Sequence, residues 1–270
     1  MQPLVRNGLV SIGIFGSSVY VFNKLFKIEA SNDNEMTIMD QNWDERSTMH
    51  IYNEVAKYFD KATNSDEFLM GMNILRRVLI SNAHGKTLEI GTGTCKNLKY
   101  YKLRKLESLY LTDYSINMLD EAKIKVEKHF TSWKYWLNPI PIQLEQVDAT
   151  KLPYPDNYFD TLVSTFTLCS FDDPQVALKE FKRVLKENGT LLLLEHGLSC
   201  KDTPKPNTLK YDYINRFLNK KANIHYSNWG CKWNRDIGDI VLSTFPNAFR
   251  HFYRFHFGTT LYVNTINARQ

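Results

Sequence analysis

Residues 87–98 read TLEIGTGTCKNL: a strand-like apolar run carrying a carboxylate near its end, two glycines one residue apart, then a helical pattern. A strand feeding a tight turn and a helix is the entry unit of an open parallel α/β sheet. Such sheets bind ligands outside the carboxyl ends of their strands, near the topological switch point. Gly91 and Gly93 allow backbone to approach a ligand with no Cβ in the way. The next strand, SLYLT (108–112), is followed by Asp113, 20 residues after Gly93. That carboxylate is placed to accept hydrogen bonds from both hydroxyls of a ribose, so the spacing predicts a nucleoside cofactor.

Two cofactors compete for the turn. A dinucleotide needs G-x-G-x-x-G, whose last glycine permits close helix–strand packing while the helix N-terminus meets a pyrophosphate. Lys96 stands there instead. S-adenosylmethionine carries no phosphate, and its turn reads acid-x-G-x-G-x-G; Glu89, Gly91 and Gly93 fit, with Cys95 at the third glycine. After strand PIQLEQV (141–147), Asp148 and Ala149 are expected beside the adenine. Thr165 and Leu168, at the end of strand YFDTLVST (158–165), are expected to floor the pocket.

Outward from the turn, strands and helices alternate. The pattern predicts strand 86–90, helix 94–103, strand 108–112, helix 115–129, strands 141–147 and 158–165, helix 174–186 and strand 189–195. Near-continuous apolar strands in such alternation mean a parallel sheet covered on both faces. The helix at 174 has Asp173 as cap and Pro174 in its first turn. The C-terminal run FRHFYRFHFGTTLYVNTI reads as an antiparallel hairpin at the sheet edge. Before the first strand, Ile51, Val55, Tyr58 and Phe59, then Phe68, Met72, Leu75 and Leu79, suggest two amphipathic helices covering the sheet.

The 270 residues are 43% hydrophobic, enough for one full core, and their net charge of +5 is dispersed. No basic and aromatic stripe marks a nucleic-acid partner. The four cysteines (Cys95, Cys169, Cys200, Cys231) have neither zinc-motif spacing nor a dense disulfide pattern, so reduced thiols and no structural metal are expected. From Gly8 to Phe22 no charge occurs, and basic residues flank the segment. Extended to residues 4–28 it approaches spanning length, predicting a membrane anchor over 1–28, a polar linker over 29–47 and a folded domain over 48–270.

The run from Glu89 through VDATKLPYPDNYFDTLVSTFTLCSF to FKRVLKENGTLLLLEHG resembles the class I S-adenosylmethionine-dependent methyltransferases. Within them it is most similar to the UbiE-type small-molecule enzymes and to the membrane-anchored methyltransferase-like group, which includes alkyl-thiol methyltransferases and a fungal mitochondrial inner-membrane member. The resemblance spans roughly residues 50–265. It implies a Rossmann-like, mostly parallel seven-stranded sheet in order 3-2-1-4-5-7-6, and a mitochondrial inner-membrane location, with endoplasmic reticulum or lipid droplet as the alternatives.

Methyl transfer is an in-line displacement, so the protein mainly supplies alignment and a desolvated path. His196, directly after the fifth strand, is the candidate base if the acceptor carries a proton. Cys169 and Cys231 read as buried small residues; Trp233, Arg235 and Asp236 either shape the acceptor pocket or serve packing and a surface ion pair. The aromatic segment 129–142 suits either a membrane interface or a flap over the protein's own core. The expected substrate is small, or lies in the lipid phase: a quinone-like molecule, a thiol or a lipid. The alternative is a catalytically inactive fold acting as a membrane-tethered assembly factor, a reading that rests on Cys95 and the lack of a firm base. A base-amine methyltransferase is disfavoured because LCSF stands where the Asn/Asp-Pro-Pro-Tyr/Phe run belongs.

Overall fold

The computed structural model describes residues 47–198, 208–246, 248 and 252–265. The anticipated anchor (1–28) and all but the last residue of the linker (29–47) lie outside them. Among the described residues no helix is long and apolar enough to cross a membrane.

Seven strands form one sheet: β1 (Gly85–Ile90), β2 (Leu106–Asp113), β3 (Ile142–Gln146), β4 (Phe159–Thr165), β5 (Leu185–His196), β6 (Phe252–Phe255) and β7 (Thr260–Thr265). Their order is β3-β2-β1-β4-β5-β7-β6, as the resemblance implies. Strands β1 to β5 pair in parallel, and β7 runs antiparallel to both β5 and β6. The apolar strands are double-faced. In β5, Leu191 and Leu193 join one hydrophobic cluster while Leu192 and Leu194 join the other, as the two-residue strand period requires.

Helices cover both faces. On one side α2 (Met72–Ile80) and α3 (Ile116–Phe130) present Met72, Leu75, Leu79, Ala122 and Val126. On the other, α5 (Pro174–Val184) and α8 (Ile237–Thr244) present Ala177, Leu178, Phe181, Ile237 and Val241. Asp173 caps α5 by accepting from the amides of Gln175 and Val176, and Ser115 caps α3 by accepting from Met118. Helix α1 (Thr48–Leu69) packs with α3 and α7 (Ala222–Trp229) through Ile51, Val55, Met118 and Tyr226, and stands beside the carboxyl ends of the strands. Short α4 (Trp133–Leu137) follows α3, and α6 (Thr208–Lys220) leads into α7. Helices α6, α7 and α8, between β5 and β6, have no counterpart in the sequence-based element reading.

Several local expectations change. Instead of a helix over 94–103 the chain makes tight turns and two single 3-10 turns, Leu98–Tyr100 and Leu103–Lys105. Cys95 has φ +58°, outside any right-handed helix. Helix α5 stops at Val184 because Leu185 already pairs with Phe159. Tyr58 and Phe68 are 51% and 72% exposed; the face α1 buries is Ile51, Val55 and Ala56, with Tyr52 and Phe59 partly covered. In the 129–142 segment Trp136 is exposed, whereas Tyr135 packs against Phe130 and donates to the Ile140 carbonyl.

Candidate active site

The turn after β1 is left-handed at three alternate residues: Gly91 (φ +62°), Gly93 (+55°) and Cys95 (+58°). A Cβ on Gly91 would come within 2.2–2.8 Å of Thr167 side-chain atoms, so this glycine is demanded by packing as well as by φ. A Cβ on Gly93 meets nothing within 4 Å, because that position faces the cavity. The Gly93 amide donates to Asp113 Oδ2 (2.8 Å) and the Ser115 amide to Oδ1 (2.9 Å). Burial raises the Asp113 pKa against the pull of these bonds, and no cation among the described residues pairs with it. A carboxylate desolvated in this way, with free lone pairs on the cavity wall, is suited to hydroxyl donors.

Cys95 takes the conformation that the third glycine would take. Its thiol is buried beside the Thr92 hydroxyl (3.3 Å), and desolvation, with the nearby Glu89 charge, pushes its pKa up to about 12. It is therefore an inert packing group. Cys95→Gly is expected to trade a left-handed strain of about 1–2 kcal/mol for the loss of a small buried side chain, leaving Tm within about 4 °C of wild type. Cys95→Val, with a β-branch at positive φ, is expected to melt lower than either. Thermal melts of the three proteins check this ordering.

Glu89 corrects an expectation. It is 1% exposed, off the cavity surface, and accepts from Asn97 Nδ2 (2.9 Å) and the Tyr101 hydroxyl (2.5 Å). It secures the turn from below through these two bonds. Leu168 likewise lies in the core, fully buried in a 3-10 turn, because the chain bends away after Thr165. Thr165, Asp148 and Ala149 do line the cavity. The Asp148 Oδ1 accepts from the amide and hydroxyl of Thr150 (2.8 and 2.6 Å).

Arg76 is a residue that the periodic reading passed over. Its guanidinium donates to Asn97 Oδ1 (3.0 Å), Thr165 Oγ1 (2.8 Å) and Glu67 Oε1 (3.2 Å), and lies over the Phe166 ring. Burial works to raise the Glu67 pKa, but Arg76 and Lys96 outweigh it and hold this carboxylate below its ordinary range. The signal was present in the sequence: a charge on the otherwise apolar face Met72–Leu75–Leu79 needs a buried partner.

At the far end of the cavity stand His196, Phe217, His225, Trp229, Cys231 and Trp233. His196 rests on Phe166 with ring centroids 4.4 Å apart, and its Nδ1 is 3.5 Å from Cys231 Sγ. The Cys231 thiol donates to Cys169 Sγ (3.2 Å), a bond that lowers the Cys169 pKa and raises its own. His225 stacks on Trp233 at 3.7 Å, and burial drives its pKa down to about 3, so it is neutral. Arg235 and Asp236 stay off the cavity surface: Arg235 donates to the Phe171 carbonyl and Asp236 caps α8. The whole space is one cavity of about 970 Å³, running from the turn and Asp113 to these aromatic residues.

Residues 88–193 match the family described as "Methyltransferase domain". The chain carries a class I S-adenosylmethionine-dependent methyltransferase domain. The domain is similar to "Methyltransferase OMS1, mitochondrial" of Saccharomyces cerevisiae, 31% identical over 222 residues that cover 79% of this chain and 45% of that protein. It is also similar to the Neisseria meningitidis ubiquinone/menaquinone biosynthesis C-methyltransferase UbiE, 33% identical over 155 residues, covering 54% of this chain and 58% of UbiE. The chain thus spans about half the length of these curated relatives. Its fold matches a SAM-dependent methyltransferase structure from Thermotoga maritima with a TM-score of 0.52 at 16% identity, covering 82% of this chain and 99% of that one.

In this methyltransferase domain the turn and Asp113 form one polar end of the cavity, and the β5 terminus with α6 and α7 forms the other, largely aromatic end. At the second end His196 comes from β5 and the other residues from the 217–233 stretch that follows it, which folds back over the strand end.

Proposed function

We propose that the chain binds S-adenosylmethionine between the β1 turn and Asp113 and transfers its methyl group to a small, apolar acceptor seated against the aromatic end. One observation carries this reading: a single cavity joins the two ends, and about 970 Å³ lies at the top of the usual small-molecule range of roughly 300–1,000 Å³. When bound, the sulfonium supplies an electrophilic methyl group. The protein supplies position. Asp113 accepts the ribose hydroxyls, Asp148 and Ala149 flank the adenine, Gly93 leaves the turn open and Thr165 contributes to the floor. Phe217, Trp229 and Trp233 exclude water from the acceptor, and His196 is the group that takes a proton from an acceptor that has one.

A quinone-like molecule, a thiol or a lipid fits this aromatic end, and the ubiquinone/menaquinone biosynthesis named for UbiE agrees with the first. The uncharged run 8–22, flanked by basic residues within 4–28, supports tethering at a membrane, which raises the local concentration of lipid-phase substrates. The mitochondrial relative supports that organelle. No observation favours the inactive-scaffold alternative, since Cys95 reproduces the backbone of the missing glycine. The test is incubation of the full chain with methyl-labelled S-adenosylmethionine and separate pools of membrane lipids with quinones, thiols, and macromolecules. Label in a small or lipid-phase product is expected; label in macromolecules alone overturns the reading.

A further inference from the structure

Three soft ligand atoms converge at the acceptor end. Cys169 Sγ and Cys231 Sγ are 3.2 Å apart, Cys231 Sγ is 3.5 Å from His196 Nδ1, and all three ligand atoms lie within 4.8 Å of one another. We infer that Cys169, His196 and Cys231 form a binding site for a thiolate-preferring divalent metal ion of the zinc class, with an open coordination position facing the acceptor end of the cavity.

The geometry is close to what such an ion needs. With Zn–S of ~2.3 Å and Zn–N of ~2.0 Å, tetrahedral ligation puts two sulfurs ~3.8 Å apart and sulfur and nitrogen ~3.5 Å apart. Small side-chain rotations reach these values. The ligands sit on three separate elements: Cys169 in the 3-10 turn after β4, His196 at the end of β5 and Cys231 after α7. The two cysteine segments are joined by the Lys232 amide donating to the Cys169 carbonyl (2.9 Å). Cys169 is fully buried, whereas Cys231 and His196 reach the cavity wall. The set is therefore closed on the protein side and open on the ligand side, the pattern of three-ligand zinc sites that keep a position for water or substrate.

His225 gives independent support. Its Nε2 is buried without a hydrogen-bond partner, on the same cavity wall, with its ring 6.4 Å from that of His196. A water or acceptor atom at the open position would satisfy it. Cysteine spacing predicted no metal because the ligands at 169, 196 and 231 meet only through the sheet crossovers. On binding, each thiol releases its proton to solvent and the thiolate lone pair forms the new bond. His196 then ligates through Nδ1, so the base role proposed above belongs to the metal-free protein alone. The ion itself lowers the pKa of a thiol or hydroxyl acceptor at the open position. That consequence rests on the methyl-transfer reading, but metal binding does not.

The test uses the full chain loaded with zinc, dialysed and analysed for metal content, with about one zinc per chain expected. Cys231→Ser and His196→Ala are each expected to lower the content ~10-fold or more, and Cys95→Ser to leave it unchanged. Cys169 is fully buried, so substituting it costs stability as well as a ligand, and the wild-type protein is therefore also loaded with cobalt. Thiolate-to-cobalt charge-transfer absorption with intense tetrahedral visible bands is expected. Metal content below about a tenth per chain, unaltered content in Cys231→Ser, or a Cys169–Cys231 disulfide in the purified protein overturns the proposal. Loss of S-adenosylmethionine binding with zinc retained would instead count against the methyl-transfer reading alone.

Discussion

Asp113→Ala is expected to weaken S-adenosylmethionine binding by roughly 100-fold or more. Two hydroxyl bonds to a carboxylate contribute about 1.5–3 kcal/mol each, and the substitution also removes the acceptor for the Gly93 and Ser115 amides that shape the turn. Asp113→Asn keeps one carbonyl acceptor and is expected to lose about 10-fold. Calorimetric titration beside a circular-dichroism check of folding separates binding from stability. Because burial raises the Asp113 pKa, the carboxylate is already partly protonated at a pH where an ordinary aspartate is ionised. Affinity should therefore fall on acidification from a pH above the usual carboxylate range, and Asp113→Asn should flatten that dependence. A folded Asp113→Ala protein with wild-type affinity would remove the nucleoside site from this position.

Gly91→Ala carries the largest expected cost in stability. The left-handed φ costs about 1–2 kcal/mol for a residue with a Cβ, and forcing that Cβ against Thr167 adds about 1–3 kcal/mol. At roughly 2–4 °C per kcal/mol for a domain of this size, a fall in Tm on the order of 10 °C follows. Gly93→Ala shares the φ penalty but no clash, so its melting point should fall by only a few degrees. Its methyl group points into the cavity, and affinity for the cofactor should suffer more than stability. Melting curves and titrations on both variants test the contrast; equal losses of stability would mean that Thr167 yields freely and that packing does not explain Gly91.

The strand–turn–strand unit was legible because each of its signals is local. Near-continuous apolar runs report which segments are buried on two faces, glycines report where the backbone turns left, and an acid directly after the second strand reports a carboxylate at the ligand-binding edge. Gly91, Gly93, Asp113, Asp148, Ala149 and Thr165 all reach the cavity for that reason. Glu89 and Leu168 show the limit. Both belong to the right segments, but side-chain direction is set by neighbours: Asn97 and Tyr101 draw Glu89 beneath the turn, and the bend after Thr165 turns Leu168 into the core. The helix expected over 94–103 failed similarly, since Cys95 at positive φ breaks a run whose composition is helical.

By itself, then, the sequence determined the alternating architecture, the turn and its partner acid, because periodicity and backbone preference act over a few residues. Tertiary structure alone decided that Arg76 locks Asn97 to Thr165 and that His196, His225 and Cys231 share one cavity wall with Cys169 buried behind it. Those residues are carried by strands and helices whose crossovers bring distant segments to the same sheet edge, and no spacing along the chain encodes that convergence.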